Sequence, residues 1–234
     1  MPIIEGIEQG TGEWLQMRCA CVTASRVADV MAKLKRKDGE AQSRKDYKAD
    51  LVCERLTGLA YDHYVSPAME WGTANEAFAK AAYELATGLE VEPIGFALHE
   101  TIKRLGASPD GGVGSDGLVE CKCPTTATHI EYIIAGVVPA EYHWQMLCQM
   151  ACADRQWCDF VSYDPRLPKR LQLFVRRFER DEARISEMLD EVTRFLAEVD
   201  EALGALEKST MIDLDPTLET KLRESLRAVS GGSV

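Results

Sequence analysis

The sequence lacks any long hydrophobic run. No stretch of about 18 apolar residues occurs, so the sequence predicts no membrane-spanning helix. The N-terminus also lacks the basic-then-apolar pattern of a secretory signal, and we therefore expect a soluble, cytoplasmic protein. No internal repeat occurs, which argues against a solenoid or another repeat architecture.

An excess of positive charge is also missing. The chain has 38 acidic residues against 27 Lys and Arg, and its net charge of −11 argues against a general DNA-coating protein. The charge is uneven, because residues 23–48 contain eight basic and four acidic residues, whereas 178–207 contain ten acidic and three basic. A polarised, acidic exterior would repel DNA except at a lined channel.

Zinc-site spacing is absent as well. Cys121 and Cys123 have the wrong separation for a zinc knuckle, and no partner pair follows them. The eight cysteines are expected to be reduced thiols.

A glycine-rich hairpin is predicted over residues 108–122, SPDGGVGSDGLVECK. Ser-Pro-Asp leads into a glycine-rich reversal, and the chain returns as a strand. Side chains alternate along a strand, so Glu120 and Lys122 should point to one face and Cys121 to the other. With Asp110 on the opposite arm, the hairpin predicts a compact group of two acids and one base.

This group suits metal-assisted phosphodiester hydrolysis. Asp110 and Glu120 are hard oxygen ligands of the kind Mg²⁺ prefers, and the main-chain carbonyl of Cys121 could complete the set. Lys122 would hold and help to deprotonate the attacking water, and its charge would oppose charge building on phosphorus. An ordinary solvated Glu-x-Lys pair is the alternative. The Pro-Asp, the glycine-rich reversal and the apolar flanks together favour the metal site.

Several helices carry further candidates. A helix over residues 73–87 has Glu76 near its start and an apolar stripe expected to pack in the core: Ala77, Phe78, Ala81, Ala82 and Leu85. Arg18 could grip a phosphate with its guanidinium, or be a plain surface residue. On a helix over 140–153, Tyr142, Gln145 and Gln149 form a polar strip. The last helix, over 181–206, has one apolar face.

Six short motifs follow one another between residues 14 and 166. They are Trp14-x3-Arg18-x4-Thr23-Ala24-Ser25, Trp71-Gly72-x3-Glu76, Ser108-Pro109-Asp110-Gly111, Glu120-Cys121-Lys122-Cys123-Pro124, Tyr142-x2-Gln145 and Tyr163-Asp164-Pro165-Arg166. In kind and order they resemble the phage lambda exonuclease and YqaJ-type viral recombinase family, within the PD-(D/E)xK nuclease superfamily. The match spans about two thirds of the chain.

The resemblance implies an α/β fold with a restriction-endonuclease-like core, a mixed central β-sheet of about five strands flanked by α-helices. It implies one nuclease domain over residues 1–208 and a C-terminal extension over 209–234. The implied activity is a Mg²⁺-dependent 5′→3′ exonuclease on double-stranded DNA ends. It would release mononucleotides and leave 3′ single-stranded DNA for phage-type recombination by strand annealing.

The resemblance also implies roles for individual residues. The catalytic residues would be Asp110, Glu120, Lys122, Glu76 and Gln145. The metal ligands would be Asp110, Glu120, the Cys121 carbonyl and, through water, Glu76, with two Mg²⁺ ions that Mn²⁺ could replace. Arg18, Thr23, Ser25 and Ser108 would bind the 5′-phosphate, Lys35 would reach into the DNA groove, and Met69 would wedge the terminal base pair or pack in the core. A homotrimeric ring and a single-strand annealing partner of the Bet/RecT type are also implied.

Two alternatives stay open. One is a Cas4-like nuclease with an iron–sulfur cluster, which would use Cys148, Cys152 and Cys158 with Cys19 or Cys21 as a fourth ligand. The other is a non-catalytic subunit that binds DNA ends through an inactive nuclease fold. Intact Asp110, Glu120 and Lys122 argue against it.

Overall fold

The structure is a computed structural model that describes residues 3–4, 7–33, 39–60, 66–209 and 220–221. The chain divides into two compact units, Met1–Asp200 and Glu201–Val234. Every site discussed below lies in the first unit. The expected domain boundary after residue 208 remains a prediction.

Seven helices lie within the described residues: α1 (Gly12–Arg18), α2 (Val27–Val30), α3 (Gln42–Thr57), α4 (Pro67–Thr87), α5 (Thr126–Ala135), α6 (His143–Ala153) and α7 (Glu182–Lys208). The caps explain several of these boundaries. The Ser66 hydroxyl accepts a hydrogen bond from the Met69 amide at the start of α4, and Gly88 ends that helix in the left-handed conformation at φ +72°. Short 3₁₀ turns lie at Ala24–Arg26, Ala140–Tyr142 and Lys169–Leu171.

Eight described strands form two mixed sheets. The strands are β1 (Ile3–Ile4), β2 (Val22–Thr23), β3 (Phe96–Leu98), β4 (Leu105–Ala107), β5 (Gly111–Val113), β6 (Gly117–Lys122), β7 (Trp157–Tyr163) and β8 (Leu173–Glu179). The first sheet has the order β1-β3-β4-β2, with β2 and β4 parallel. The second has the order β5-β6-β7-β8, with β6 and β7 parallel. The predicted fold class is confirmed.

The described strands form two four-stranded sheets, where one sheet of about five was predicted. The division falls between β4 and β5, at Ser108, Pro109 and Asp110. Proline has no N–H to donate to a strand ladder, so the first sheet cannot continue through this segment. The predicted hairpin itself is present, because β5 pairs antiparallel with β6 through Gly111–Val119 and Val113–Gly117.

The apolar stripe predicted for α4 is wrong as a core face. Phe78 is 62% exposed and Leu85 is 89% exposed, whereas Ala79 and Tyr83 are fully buried. The buried Tyr83 hydroxyl donates a 2.7 Å hydrogen bond to Asp159 of β7. This long-range contact turns the helix so that Ala79 and Tyr83 face the second sheet.

The apolar face predicted for α7 is confirmed, with buried residues at Ile185, Met188, Val192, Phe195, Leu196 and Val199.

Helix α6 is central to the fold. It contacts β3 and β4 of the first sheet and β7 of the second, and its residues from Met146 to Ala153 are all buried. This placement brings its polar side chains to the sheet that carries the hairpin.

Candidate active site

The β6 strand places Glu120 and Lys122 on one face, as the alternation of side chains predicts. The Glu120 side chain is only 2% exposed, and the Lys122 ammonium lies 2.5 Å from its Oε1. Lys122 also lies 5.1 Å from the centre of the Tyr142 ring, which the sequence places in the same motif as Gln145. Although burial acts to lower it, the charges of Glu120 and Asp110 raise the pKa of Lys122 above its ordinary value.

Two glutamines from α6 hold the Glu120 carboxylate. Gln145 Nε2 donates to Oε1 at 2.6 Å, and Gln149 Nε2 donates to Oε2 at 2.5 Å. Gln149 is completely buried, so it has no access to water as an alternative partner. The carboxylate orientation is therefore set by three donors from two elements.

Asp110 lies beside this group at the start of the hairpin. Its Oδ2 accepts a 2.6 Å hydrogen bond from the Cys121 amide, which ties the two arms of the hairpin together. Burial, and then the charges of Glu120 and Glu76, raise the pKa of Asp110 well above its ordinary value. The neighbouring charges of Glu120 and Glu76 thus disfavour the ionised form of Asp110, and a bound cation would offset this repulsion.

A cleft of about 330 Å³ opens next to this group, and Asp110 and Lys122 line it whereas the buried Glu120 does not. It is lined by Ala68, Met69, Gly72, Glu76, Asp110, Cys121, Lys122, Cys123, Pro124 and Tyr142. Glu76 comes from α4 and forms a 2.6 Å ion pair with Lys80, one turn along the same helix. Met69 is 53% exposed at the cleft and is not a core residue, which leaves the predicted wedge role available.

A second group of predicted residues adjoins the cleft through Ser108. The Ser108 hydroxyl accepts hydrogen bonds from Trp14 Nε1 at 2.8 Å and from Arg18 Nη1 at 3.5 Å. Arg18 also stacks on the Trp14 ring at 4.0 Å. The Arg18 guanidinium is partly removed from water, and this burial lowers the pKa of Arg18. A phosphate would be bound more strongly in such surroundings than in bulk water.

Thr23 and Ser25 lie at the same end of the first sheet as Ser108. Strands β2 and β4 are parallel, with Thr23 opposite Gly106, so the segments that follow both strands leave the sheet together. The Thr23 and Ser25 hydroxyls are 3.3 Å apart. Ser25 is exposed, whereas Thr23 is buried. Lys35 lies outside the described residues.

The donor chemistry of the cleft fits a magnesium ion. Within the described ranges, no three or more His, Cys, Asp and Glu side chains form a ready metal-binding group. Magnesium, however, usually takes one or two carboxylates and keeps several waters. Asp110, Glu120 and the carbonyl of Cys121 supply two carboxylates and one neutral oxygen on adjacent arms of the hairpin.

The cysteines do not assemble into a cluster site. All eight are free thiols, and those proposed for an iron–sulfur cluster include the fully buried Cys148, Cys152 and Cys158. Cys158 Sγ lies 4.0 Å from the Gln149 side-chain oxygen. No metal-binding group that includes three cysteines is found in the part of the chain that the structure describes.

Gln149 is the site residue that the motifs did not assign. The sequence places it only in a polar strip with Tyr142 and Gln145. Its spacing of four residues from Gln145 places both amides on one helical face, which was the available signal. What the sequence could not supply was the position of Glu120 opposite that face.

Comparisons with known proteins agree with the fold and the motifs. A family model described as the YqaJ-like viral recombinase domain matches residues 13–156. No match is found among curated proteins. None of the described helices is long and apolar enough to cross a membrane.

Among solved structures, the chain is similar to an alkaline exonuclease (LHK-Exo) from Laribacter hongkongensis. The identity is 50% over 85% of this chain and 97% of that chain, with a TM-score of 0.78. A structure of LHK-Exo in complex with dAMP has a TM-score of 0.79 at the same identity and coverage. A phage-related exonuclease from Haemophilus somnus 129PT is 16% identical over 80% of this chain and 96% of that chain, with a TM-score of 0.62, and shows the fold alone. The chain belongs to the YqaJ-like viral recombinase family.

Proposed function

We propose that this protein is a Mg²⁺-dependent 5′→3′ exonuclease that acts on double-stranded DNA ends and releases mononucleotides. The observation that carries the proposal is the buried Glu120 carboxylate, held by Lys122, Gln145 and Gln149 next to a cleft that Asp110 and Lys122 line. A relative with 50% identity is an alkaline exonuclease, and its complex with dAMP contains a mononucleotide. Both facts support hydrolysis at a DNA terminus.

Asp110, Glu120 and the Cys121 carbonyl would hold one Mg²⁺, and Glu76 would support a second through water. Mn²⁺ could replace either ion. A bound Mg²⁺ supplies charge stabilisation at the phosphoryl oxygens and lowers the pKa of a water molecule. Lys122 and Gln145 then position the attacking water, and the Lys122 ammonium stabilises negative charge developing on the phosphate.

The proposed 5′→3′ polarity is supported by the closeness of the proposed phosphate-binding residues to the proposed metal ligands. Ser108, which Arg18 contacts, lies two residues before Asp110, so the phosphate-binding group adjoins the cleft. A 5′-phosphate bound by Arg18, Thr23, Ser25 and Ser108 would leave the next phosphodiester at the acidic cluster. Water would add to the phosphorus of that phosphodiester. The bond between this phosphorus and the 3′ oxygen of the terminal nucleotide would break, and the terminal nucleotide would leave as a 5′-mononucleotide.

Repeated removal of 5′ nucleotides leaves 3′ single-stranded DNA. The proposed biological role is therefore to prepare ends for recombination by strand annealing, with a Bet/RecT-type annealing protein as partner. A homotrimer is the proposed assembly. The exposed Phe78 and Leu85 on α4 support an interface between copies, because such large apolar side chains are usually covered. Light scattering of the purified protein tests the trimer.

The enzyme is tested on a linear duplex that carries a 5′-phosphate on one strand only. Wild type, Lys122→Ala and Lys103→Ala are compared, each with Mg²⁺ and with EDTA. Lys103 is an exposed lysine in the turn before β4, at the opposite end of that strand from Ser108. We expect loss of the phosphorylated strand with wild type and Lys103→Ala, and no loss with Lys122→Ala or EDTA.

Two other outcomes of this digestion would each contradict a different part of the proposal. A duplex that stays intact but is bound at its ends would indicate a non-catalytic end-binding subunit. Internal cuts or loss from the 3′ end would contradict the proposed polarity. Arg18→Gln adds a further arm: it should reduce the difference in rate between 5′-phosphate and 5′-hydroxyl ends, while slow cleavage continues.

A further inference from the structure

The β7–β8 loop and the strand that follows it form a strongly basic segment. Residues 165–180 contain six Arg or Lys and one acidic residue, in a chain with a net charge of −11. The proposed catalytic and phosphate-binding residues do not include any of these six. A local excess of positive charge on an acidic protein is a candidate site for a polyanion.

Half of these cations are neutralised within the protein. Arg166 pairs with Asp164 at 2.7 Å, Arg177 with Asp159 at 2.9 Å and Arg180 with Glu182 at 2.5 Å. The other three are exposed and make no ion pair with any carboxylate in the described ranges: Lys169, Arg170 and Arg176. Their charge is therefore available to a ligand.

The loop leaves the sheet beside the proposed active site. Strands β6 and β7 are parallel, with Lys122 opposite Ser162, so the chain after β7 emerges at the end of the sheet where Lys122 lies. Neighbouring strands are about 4.8 Å apart. Arg166 Nη2 also donates a 3.0 Å hydrogen bond to the carbonyl of Pro124, which lines the cleft. The basic loop thus begins at the rim of the cleft.

Arg176 continues the positive charge across the sheet. It lies opposite Phe160 of β7, which in turn lies opposite Glu120 of β6, so the three residues share one row and one face. Its Nε donates a 2.7 Å hydrogen bond to the Gly136 carbonyl, which holds the side chain on that face at the outer strand. Arg176 therefore adds a positive charge at the outer strand, on the face of the second sheet that carries Glu120.

We infer that Lys169, Arg170 and Arg176 form a second DNA-binding site, which takes the phosphate backbone of the strand or duplex adjoining the cleft. The inference rests on the proposed function. Only if the cleft acts on DNA would the phosphate backbone of the same DNA molecule reach this second site. A solvated loop without a ligand is the alternative. Against it stand the position of Lys169 and Arg170 in the loop that leaves the sheet at the Lys122 end, and the net charge of −11, which would otherwise repel DNA.

The site is tested by the salt dependence of DNA binding. A labelled blunt duplex and a labelled single strand of the same length are titrated with protein in EDTA at several NaCl concentrations, and affinity is read by fluorescence anisotropy. The variants are Lys169→Gln, the double Lys169→Gln/Arg170→Gln, and the triple that adds Arg176→Gln. The double variant keeps the hydrogen bond from Arg176 to the Gly136 carbonyl, so it still tests the site if the triple variant fails to fold. Lys103→Gln is the matched control for Lys169→Gln, as a lysine at the far end of β4.

Each phosphate contact contributes about −0.9 to the slope of log K against log salt for duplex DNA and about −0.7 for a single strand. The triple variant should therefore lose about 2 to 3 units of slope with the DNA form that occupies the site, and the double about two thirds of that loss. Lys103→Gln should leave the slope unchanged. The form of DNA that loses slope identifies whether the site holds the duplex or the single strand.

Slopes that match wild type for both DNA forms would overturn the inference. So would an equal loss in Lys103→Gln, since the effect would then reflect net charge alone. Digestion of a duplex by wild type in Mg²⁺ is measured in parallel. Digestion with unchanged slopes would contradict this second site only, whereas no digestion and no binding would contradict the proposed function itself.

Discussion

The hydrogen bond from Gln149 to Glu120 gives a prediction that depends directly on the geometry of the cleft. The change is Gln149→Met, which keeps the length of the side chain and removes its donor. In the structure the amide lies 2.5 Å from Oε2 of a carboxylate that is 2% exposed. Because Gln149 is completely buried, water cannot replace the lost donor.

The magnitude follows from the cost of leaving a buried charged acceptor without one partner. Hydrogen bonds to charged groups contribute about 1.5–3 kcal/mol to stability, so the metal-free variant should lose about 2 kcal/mol of unfolding free energy. Removing an outer partner of a metal-binding carboxylate typically lowers metal affinity or activity by about 10–100-fold. Gln145→Met should cost less stability, because Gln145 is half-buried and Oε1 keeps the Lys122 ammonium as a partner.

The assay is urea unfolding in EDTA, followed by the initial rate of duplex digestion over a range of Mg²⁺ concentrations. The same substitution is repeated in a Glu120→Leu background, where no carboxylate remains to be stabilised. There Gln149→Met should cost well under about 1 kcal/mol, and the difference between backgrounds isolates the contact. An equal cost in both backgrounds, or a variant within about 0.5 kcal/mol of wild type with an unchanged rate, would refute the reasoning.

Three further predictions concern stability. Tyr83→Phe removes the donor to buried Asp159 and should cost about 1–3 kcal/mol in urea unfolding; a neutral result would mean that this bond does not orient α4. Burial acts to raise the pKa of Asp164, but hydrogen bonds from Arg166 lower it from 3.8 to about 2, so this contribution is complete above pH 4 and is lost as the pH falls towards 2. The stability difference between wild type and Arg166→Gln should shrink in that window, and a constant difference would contradict the assignment. Leu85→Gln should change the free energy of unfolding by less than about 0.5 kcal/mol at protein concentrations too low for copies to associate, because Leu85 is 89% exposed. The loss should grow with protein concentration if Leu85 lies in the proposed trimer interface, and a loss that does not depend on concentration would contradict that interface.

The parts of the site that are local in sequence could be predicted from it. The hairpin and the shared face of Glu120 and Lys122 follow from glycine placement and from the two-residue period of a strand, and the structure has both. Ser108 and Asp110 flank the proline that stops the first sheet, so their position between two sheets also has a local cause. Their predicted roles in binding phosphate and metal remain predictions.

The orientation of α4 could not be predicted in this way. Phe78, Ala81 and Leu85 have the spacing of a core face, yet the helix turns that face outward. Periodicity shows that a helix has two different faces, but it does not show which one meets the sheet. Here a polar contact between Tyr83 and Asp159, residues far apart in the chain, decides the question.

The two features that the motifs did not reveal have a common cause in the parallel pairing of β6 with β7. That pairing joins segments separated by α5 and α6, and it places the ends of both strands at one edge of the sheet. It brings α6, and with it Gln149, against Glu120, and it makes the β7–β8 loop leave the sheet at the end where Lys122 lies. Binding sites in sheets with parallel strands generally form at the carboxyl ends of those strands. The proposed metal site and the loop of the proposed second DNA-binding site thus lie towards the same end of the second sheet, and one DNA strand with bound Mg²⁺ would occupy both.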